Sequence, residues 1–456
     1  MKKIFILCSV AILTTLNGCE KRLEVAPTQT IDQTTALNAS KDVEAALIGA
    51  YDGLQSGDSY GGGFQYTSEI LAAVATDVRF GGTFANLQEL YRKEITTINA
   101  TAEGLWLRSY VVINRVNNVL ANLDKVTEAK KSRVQGEALF IRGALYFEMT
   151  RLYGKQWGDG NNASNPAVPI ILTPTTAVTD ANKVPRNSVA EVYAQAIDDL
   201  TKAEAALPAA NSFYANKSAA AAILARLYLQ QGNFAAARDA SNRVIASGRY
   251  RLVTPFAAAF NSKLNNGGAN PAEYVFAIQV NDQDGVNAMN TYFGTTIGSI
   301  PGTAGRGDMR VQPAHIALYE TGDARGTFFI KPSANTFTYK FLDRFGNVPV
   351  VRLPEMILTR AEANFRLGTT IGATPAADVN AIRARAGLKD LATVTLAAIL
   401  KERRLELAFE GHALNDVKRT GGTVGTLPFN SPKLILPVPQ RERDLNPTGL
   451  VQNEGY

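Results

Sequence analysis

Few residues of this chain have the types and spacing that covalent chemistry needs. Gly57-Asp58-Ser59-Tyr60-Gly61 has the G-x-S-x-G spacing of a nucleophile elbow. That motif works where a buried strand turns sharply into a helix, holding the serine oxygen on strained backbone. Here an amphipathic stretch precedes it and Gly61-Gly62-Gly63 follows, the wrong setting for an acyl-transfer serine. His315 and His412 are the two histidines and lie far apart, so imidazole bases and zinc sites are poorly supplied. The sequence holds no Walker loop, dinucleotide fingerprint or clustered metal ligands, and no cofactor or metal is expected. Arg306-Gly307-Asp308 is too short a motif to carry a function. A two-carboxylate glycosidase stays open, because 41 acidic residues always permit some pair. Arg403, Arg404, Glu406, Glu410, Asp416 and Arg419 crowd one stretch, 399–419. Glu402, Glu406 and Glu410 are spaced one helical turn apart, so this stretch reads as a helix whose Arg403 and Arg404 neutralise a half-buried acidic face. Arg360 and Glu362 are candidates to join that network.

The elements that would position such groups are mostly helical. Of 456 residues, 46% are apolar and 19% charged, enough for a large core and too apolar for a disordered chain. The net charge of +6 is modest and forms no basic block, so nucleic acid is not an expected partner. Near-3.6 spacing predicts helices over Asp42–Leu54, Leu105–Leu123 and about Ala129–Tyr153, the last stopped by Gly154. Ser188 with Glu191 is a capping box for a helix ending before Pro208. Helices 217–231 and 234–247 form a pair in which Ala225, Tyr228, Gly232, Phe234 and Ala237 fall at tetratricopeptide-repeat offsets. Small alanines let two helices approach, and Gly232 makes the turn. Leu358, Ala361 and Gly368 give a weaker copy. Residues 57–100 and 250–350 break the helical rhythm with glycine- and aromatic-rich loops and one strand-like run, Tyr274–Ile278.

The N-terminus carries an address. Lys2 and Lys3 precede the apolar run from Ile4 to Leu16, 13 residues long where a membrane span needs about 20. This is the pattern of a signal peptide over 1–18. Leu16-Asn17-Gly18-Cys19 resembles a bacterial lipobox, which implies cleavage before Cys19 and its lipidation. Several acyl chains would anchor the chain stably. Cys8 lies inside the signal, so the mature chain has one cysteine and no disulfide. Residues 19–40 read as a tether.

Longer motifs carry a family resemblance. They are Asn347-Val348-Pro349-Val350-Val351-Arg352-Leu353-Pro354-Glu355, Ile399 through Glu410-Gly411-His412, Leu436-Pro437-Val438-Pro439 and the closing Asn453-Glu454-Gly455-Tyr456. With Leu105-Trp106, Tyr110 and Asn117, and with Arg142 through Arg151-Leu152-Tyr153-Gly154, the sequence resembles the SusD/RagB family of outer-membrane nutrient-binding lipoproteins. Ala413-Leu414 departs from the arginine and aromatic often found there, and Lys21-Arg22 from the acidic residues often found behind the lipidated cysteine.

The resemblance implies an all-α fold of tetratricopeptide-like helix pairs with long loops and a few short strands. An N-terminal region, 41–250, and a C-terminal region, 251–456, would share one scaffold. It also implies a non-enzymatic lipoprotein on the exterior face of the outer membrane. Such a protein binds oligosaccharides or peptides and delivers them to a SusC-like TonB-dependent barrel. A lipid-anchored hydrolase and a purely structural repeat scaffold are the alternatives. Sugars need aromatic faces and planar polar groups. The loops offer Tyr66, Asp77, Arg79, Phe84, Asn86, Tyr292 and Phe293 as candidate ligand contacts, whereas Trp106 and Trp157 read as packing residues.

Overall fold

In the computed structural model, residues 37–177 and 179–456 are described. Cys8, Cys19, the signal and most of the tether lie outside them. The first helices are α1 (Ser40–Gln55), α2 (Gly63–Ala72), α3 (Ala85–Arg92), α4 (Ala100–Ala121) and α5 (Glu128–Tyr153). Next come α6 (Val189–Ala206), α7 (Lys217–Gln230), α8 (Phe234–Ala246) and the short α9 (Ala288–Phe293). The last four named here are α10 (Leu353–Leu367), α11 (Pro375–Arg385), α12 (Leu396–Glu406) and α13 (Ala413–Arg419). Strands are short and pair two by two: β1 (Val78–Phe80) with β3 (Met309–Val311), and β2 (Tyr274–Ile278) with β4 (Val348–Arg352), both antiparallel. The fold is mainly helical.

Local chemistry sets the helix limits. Asn99 accepts the N–H groups of Thr101 and Ala102 to start α4, and the Ser188–Glu191 capping box starts α6. Consecutive helices pack as neighbours from α4 through α8. Ala225 and Ala237 are fully buried where α7 meets α8, and Gly232 turns between them at φ +70°. The next repeat does not follow in sequence. The chain leaves at 250, builds the β2–β4 ribbon and the loops around it, and returns as α10, which packs on α8 with α11 behind it. Gly368 ends α10 at φ +65°, as Gly232 ends α7. The motif at Leu358 and Ala361 is therefore the continuation of the α7–α8 stack.

Two expectations need correction. Residues 57–100 are not simply loop, since α2, β1 and α3 lie within them. The charged stretch 399–419 is two helices, because Phe409 and Gly411 adopt left-handed backbone at φ +69° and +89°. A Cβ on Gly411 would sit 2.7 Å from Gln65 Cα, so α2 packs directly on the break.

The broken segment holds a buried ionic core. Arg352 bonds Glu273, Glu406 and Glu410; Arg385 bonds Glu273 and Glu406; Arg325 bonds Asp323, Glu402 and Glu406. With Arg383, which pairs with Glu402, four arginines from β4, α11 and the 251–347 loops, not Arg403 and Arg404, thus neutralise the acids of α12. Arg403 instead bonds Asp416, and Arg404 is half exposed on Asp77. Arg419 holds Glu362, while Arg360 leaves that network for Asp378. Burial opposes the charge on Glu406, but its arginines hold its carboxyl well below the usual range.

Candidate functional site

The aromatic candidates separate into a surface group and a buried group. Phe84 caps the N-terminus of α3 and is 42% exposed. Tyr292, on α9, meets it edge-to-face with ring centroids 6.3 Å apart, and Tyr66, on α2, meets Tyr292 at 4.7 Å. The three rings form a ledge with Phe84 outermost, Tyr292 half-buried and Tyr66 beneath them. Tyr66 is only 4% exposed, so it supports the ledge and offers no face to a ligand. Phe293 is fully buried between Phe341 and Phe409. On α9, Tyr292 turns outward and Phe293 inward, a choice set by the neighbouring elements and not by residue type. Trp106 is a core residue set edge-to-face against Tyr153, and Trp157 is half-buried against Tyr193.

The polar candidates border the ledge in two ways. Asn86 donates to the Thr101 hydroxyl at 2.7 Å and fixes α3 to α4. Arg79 belongs to the β1–β3 ribbon, which runs from the ledge toward α12, and Asp77 immediately precedes β1. Asp77 accepts from Arg404 at 2.8 Å and lies 2.8 Å from His315 Nδ1; these partners hold its carboxyl below the usual range although burial opposes them. Arg79 is exposed and pairs in register with Arg310.

Two residues that border the ledge escaped the sequence reading. The Arg306 guanidinium lies over the Phe84 ring, 4.2 Å from its centroid, and donates to the Thr83 hydroxyl at 3.1 Å. Asp308 accepts from Arg306 Nε at 3.0 Å. Both sit in the Arg306-Gly307-Asp308 tripeptide, whose nearness to Phe84 is long-range and leaves no local signal.

Two cavities lie elsewhere. One of about 660 Å³ lies beside β2, and its amides are largely spent on each other: Asn347 donates to Asn270 at 2.8 Å and to Gln279 at 3.0 Å. Another, of about 480 Å³, lies between α2, α12 and α13. Its carboxylates are already committed, Asp416 to Arg403 and Arg419, and Glu69 to the N–H groups of Gly411 and Ala413. The ledge lies at the surface, outside both cavities. Ser59 is fully buried and its hydroxyl has no hydrogen-bond partner, so no base is placed to activate it. Among the described residues no cluster of His, Cys, Asp or Glu is arranged to hold a metal, and no helix is long and apolar enough to cross a membrane.

Comparison with known proteins agrees with this architecture. Residues 21–229 match a SusD-like family described as starch-binding and associating with the outer membrane, and residues 329–427 match the SusD family. A SusD-like protein, P2, of Formosa agariphila is 24% identical over 98% of both chains. A putative sugar-binding protein of Bacteroides vulgatus superposes with a TM-score of 0.80 at 27% identity, covering 92% of this chain and all of that one. A SusD-like carbohydrate-binding protein of the same organism gives a TM-score of 0.72 at 25% identity, covering 85% and 84%. The two family matches fall on the front and rear of one continuous helical scaffold, and the chain belongs to the SusD/RagB family.

Proposed function

We propose that this protein is a non-enzymatic glycan-binding lipoprotein of the outer-membrane surface. It takes up an oligosaccharide on the Phe84–Tyr292 ledge and passes it to a SusC-like TonB-dependent barrel. The carrying observation is the partly exposed ring of Phe84, which Tyr292 meets edge-to-face and which has the Arg306 guanidinium over one of its two faces and the Thr83 hydroxyl alongside. A sugar's apolar face stacks on such a ring while its hydroxyls meet planar polar donors. The family matches and the sugar-binding structural neighbours support the ligand class, and the lipobox-like run before Cys19 supports the anchor. Ser59, buried and without a base, supports binding over hydrolysis. A peptide ligand is the second reading.

Calorimetry of the full chain in detergent against a panel of oligosaccharides and peptides tests this. Phe84→Ala should cost about 2 kcal/mol or more, roughly thirtyfold in affinity. Full affinity in a Phe84→Ala/Tyr292→Ala double variant would move the site elsewhere. Turnover of a ligand that Ser59→Ala abolishes would make the protein an enzyme.

A further inference from the structure

The β1–β3 ribbon carries its charge in an unusual arrangement. Val78, Phe80, Met309 and Val311 turn inward and are buried. Arg79 and Arg310, directly opposite each other in register, share the outer face. Like charges placed opposite across an antiparallel pair destabilise it. Sheets usually avoid this, or set a carboxylate between the two. Among the described residues neither arginine has a carboxylate within ion-pair distance.

The strip continues at both ends. Toward α12, Asp77 holds the half-exposed Arg404. Toward the ledge, Gly81 has no side chain, and Arg310 Cζ lies 2.3 Å from where its Cβ would be. That vacancy lets the Arg310 guanidinium lie along the loop, where it donates to Gly81 O at 3.3 Å. The next group along is Asp308, bonded to Arg306, which lies over one face of Phe84. Four guanidiniums therefore face two carboxylates along a path that ends on the aromatic ledge. From Asp77 to Gly81 the path measures about 13 Å at roughly 3.3 Å per strand residue.

From this juxtaposition we infer that the ledge selects acidic oligosaccharides, whose carboxylate or sulfate groups lie along the ribbon over Arg79 and Arg310 while a ring stacks on Phe84. This rests on the ledge being the glycan site. The guanidinium's planar donor fork matches both kinds of anion, and the unneutralised pair supplies the charge that a neutral glycan would leave unused.

The test uses the full chain in detergent and ligand pairs that differ only in charge. One arm compares trigalacturonate with its methyl ester; the other compares a sulfated galactan oligosaccharide with its desulfated form. In at least one arm the acidic member should bind about tenfold tighter or more, as expected for charge-assisted hydrogen bonds. That advantage should shrink as salt rises. The arm that shows it identifies the anion. In Arg79→Gln/Arg310→Gln, the ratio of acidic to neutral affinity should collapse toward one. Equal affinity for both members, with binding lost in Phe84→Ala, would keep the ledge and overturn the acidic selectivity. Binding of no glycan at all, or tighter binding of an aspartate- and glutamate-rich peptide, would overturn the glycan site and the selectivity together.

Discussion

The protein uses arginine in two opposite ways. Around Glu406, Arg325, Arg352 and Arg385 are buried and each meets at least two carboxylates. On the β1–β3 ribbon, Arg79 is exposed and Arg310 half-buried, with its Nε unpartnered, and among the described residues neither meets a carboxylate. A buried guanidinium without a carboxylate would carry an unpaired charge through folding, so the interior must neutralise. An exposed guanidinium such as Arg79 is tolerated unpaired because water screens it, and the half-buried Arg310 keeps only the Gly81 carbonyl as a partner. The difference separates scaffold from site: charge already satisfied within the fold holds it together, and charge left unsatisfied at the surface is available to a ligand.

The largest effect should come from breaking the interior set. Glu406→Ala leaves three buried guanidiniums short of a partner and should cost about 3–5 kcal/mol. Urea denaturation would show it as a lower midpoint at constant slope. The pH dependence has a definite sign. Glu406 is held below its unfolded value, so its contribution is present above about pH 4.5 and is lost as pH falls through the folded value. An unchanged midpoint in Glu406→Ala would show that this network is not what fastens the 251–352 insertion to the helices.

A buried carboxyl without an arginine sharpens the contrast. Glu69, on α2, receives the N–H groups of Gly411 and Ala413, yet burial pushes its carboxyl up to about 7. Its folded value lies above its unfolded one, so the protonated form favours folding. That stability is complete below about pH 4.5 and disappears as pH rises through 7. Glu69→Gln keeps an acceptor oxygen and removes the charge. Against wild type it should gain nothing at pH 4 and up to about 3 kcal/mol at pH 8, read from paired urea melts. A difference that is flat with pH would mean that folding does not raise the Glu69 carboxyl.

The sequence made the helical frame legible because its signals are local. The 188/191 capping box, the Ala225–Gly232–Ala237 spacing and the Tyr274–Ile278 run each fix an element within a few residues. What stayed hidden depends on contacts far apart in the chain. The return of α10 onto α8 spans a hundred-residue insertion, and the partners of Glu406 come from β4, α11 and the loop before β4. The site divides the same way. Tyr66 and Phe293 look as suitable as Phe84 and Tyr292 when read by type, since burial is not written at a single position. Arg306 and Asp308 border the ledge only after the chain has folded.

The smallest effect bears directly on the comparison. If the ribbon tolerates Arg79 opposite Arg310 for the sake of a ligand, removing one charge should help the empty protein. Arg79→Gln relieves a cross-strand like-charge pair and should raise stability by about 0.2–1 kcal/mol, the range for such pairs. The gain should be clearest at low salt and fade as screening shortens the reach of the repulsion. Thermal melts of wild type and variant at about 20 mM and 500 mM salt would read it. A loss of stability at low salt would mean that Arg79 has a structural partner after all, and would place it with Arg352 as scaffold. A gain in the empty protein, joined to a lower acidic-to-neutral affinity ratio, would set the two uses of arginine apart, because the substitution that relaxes the fold would be the one that weakens recognition.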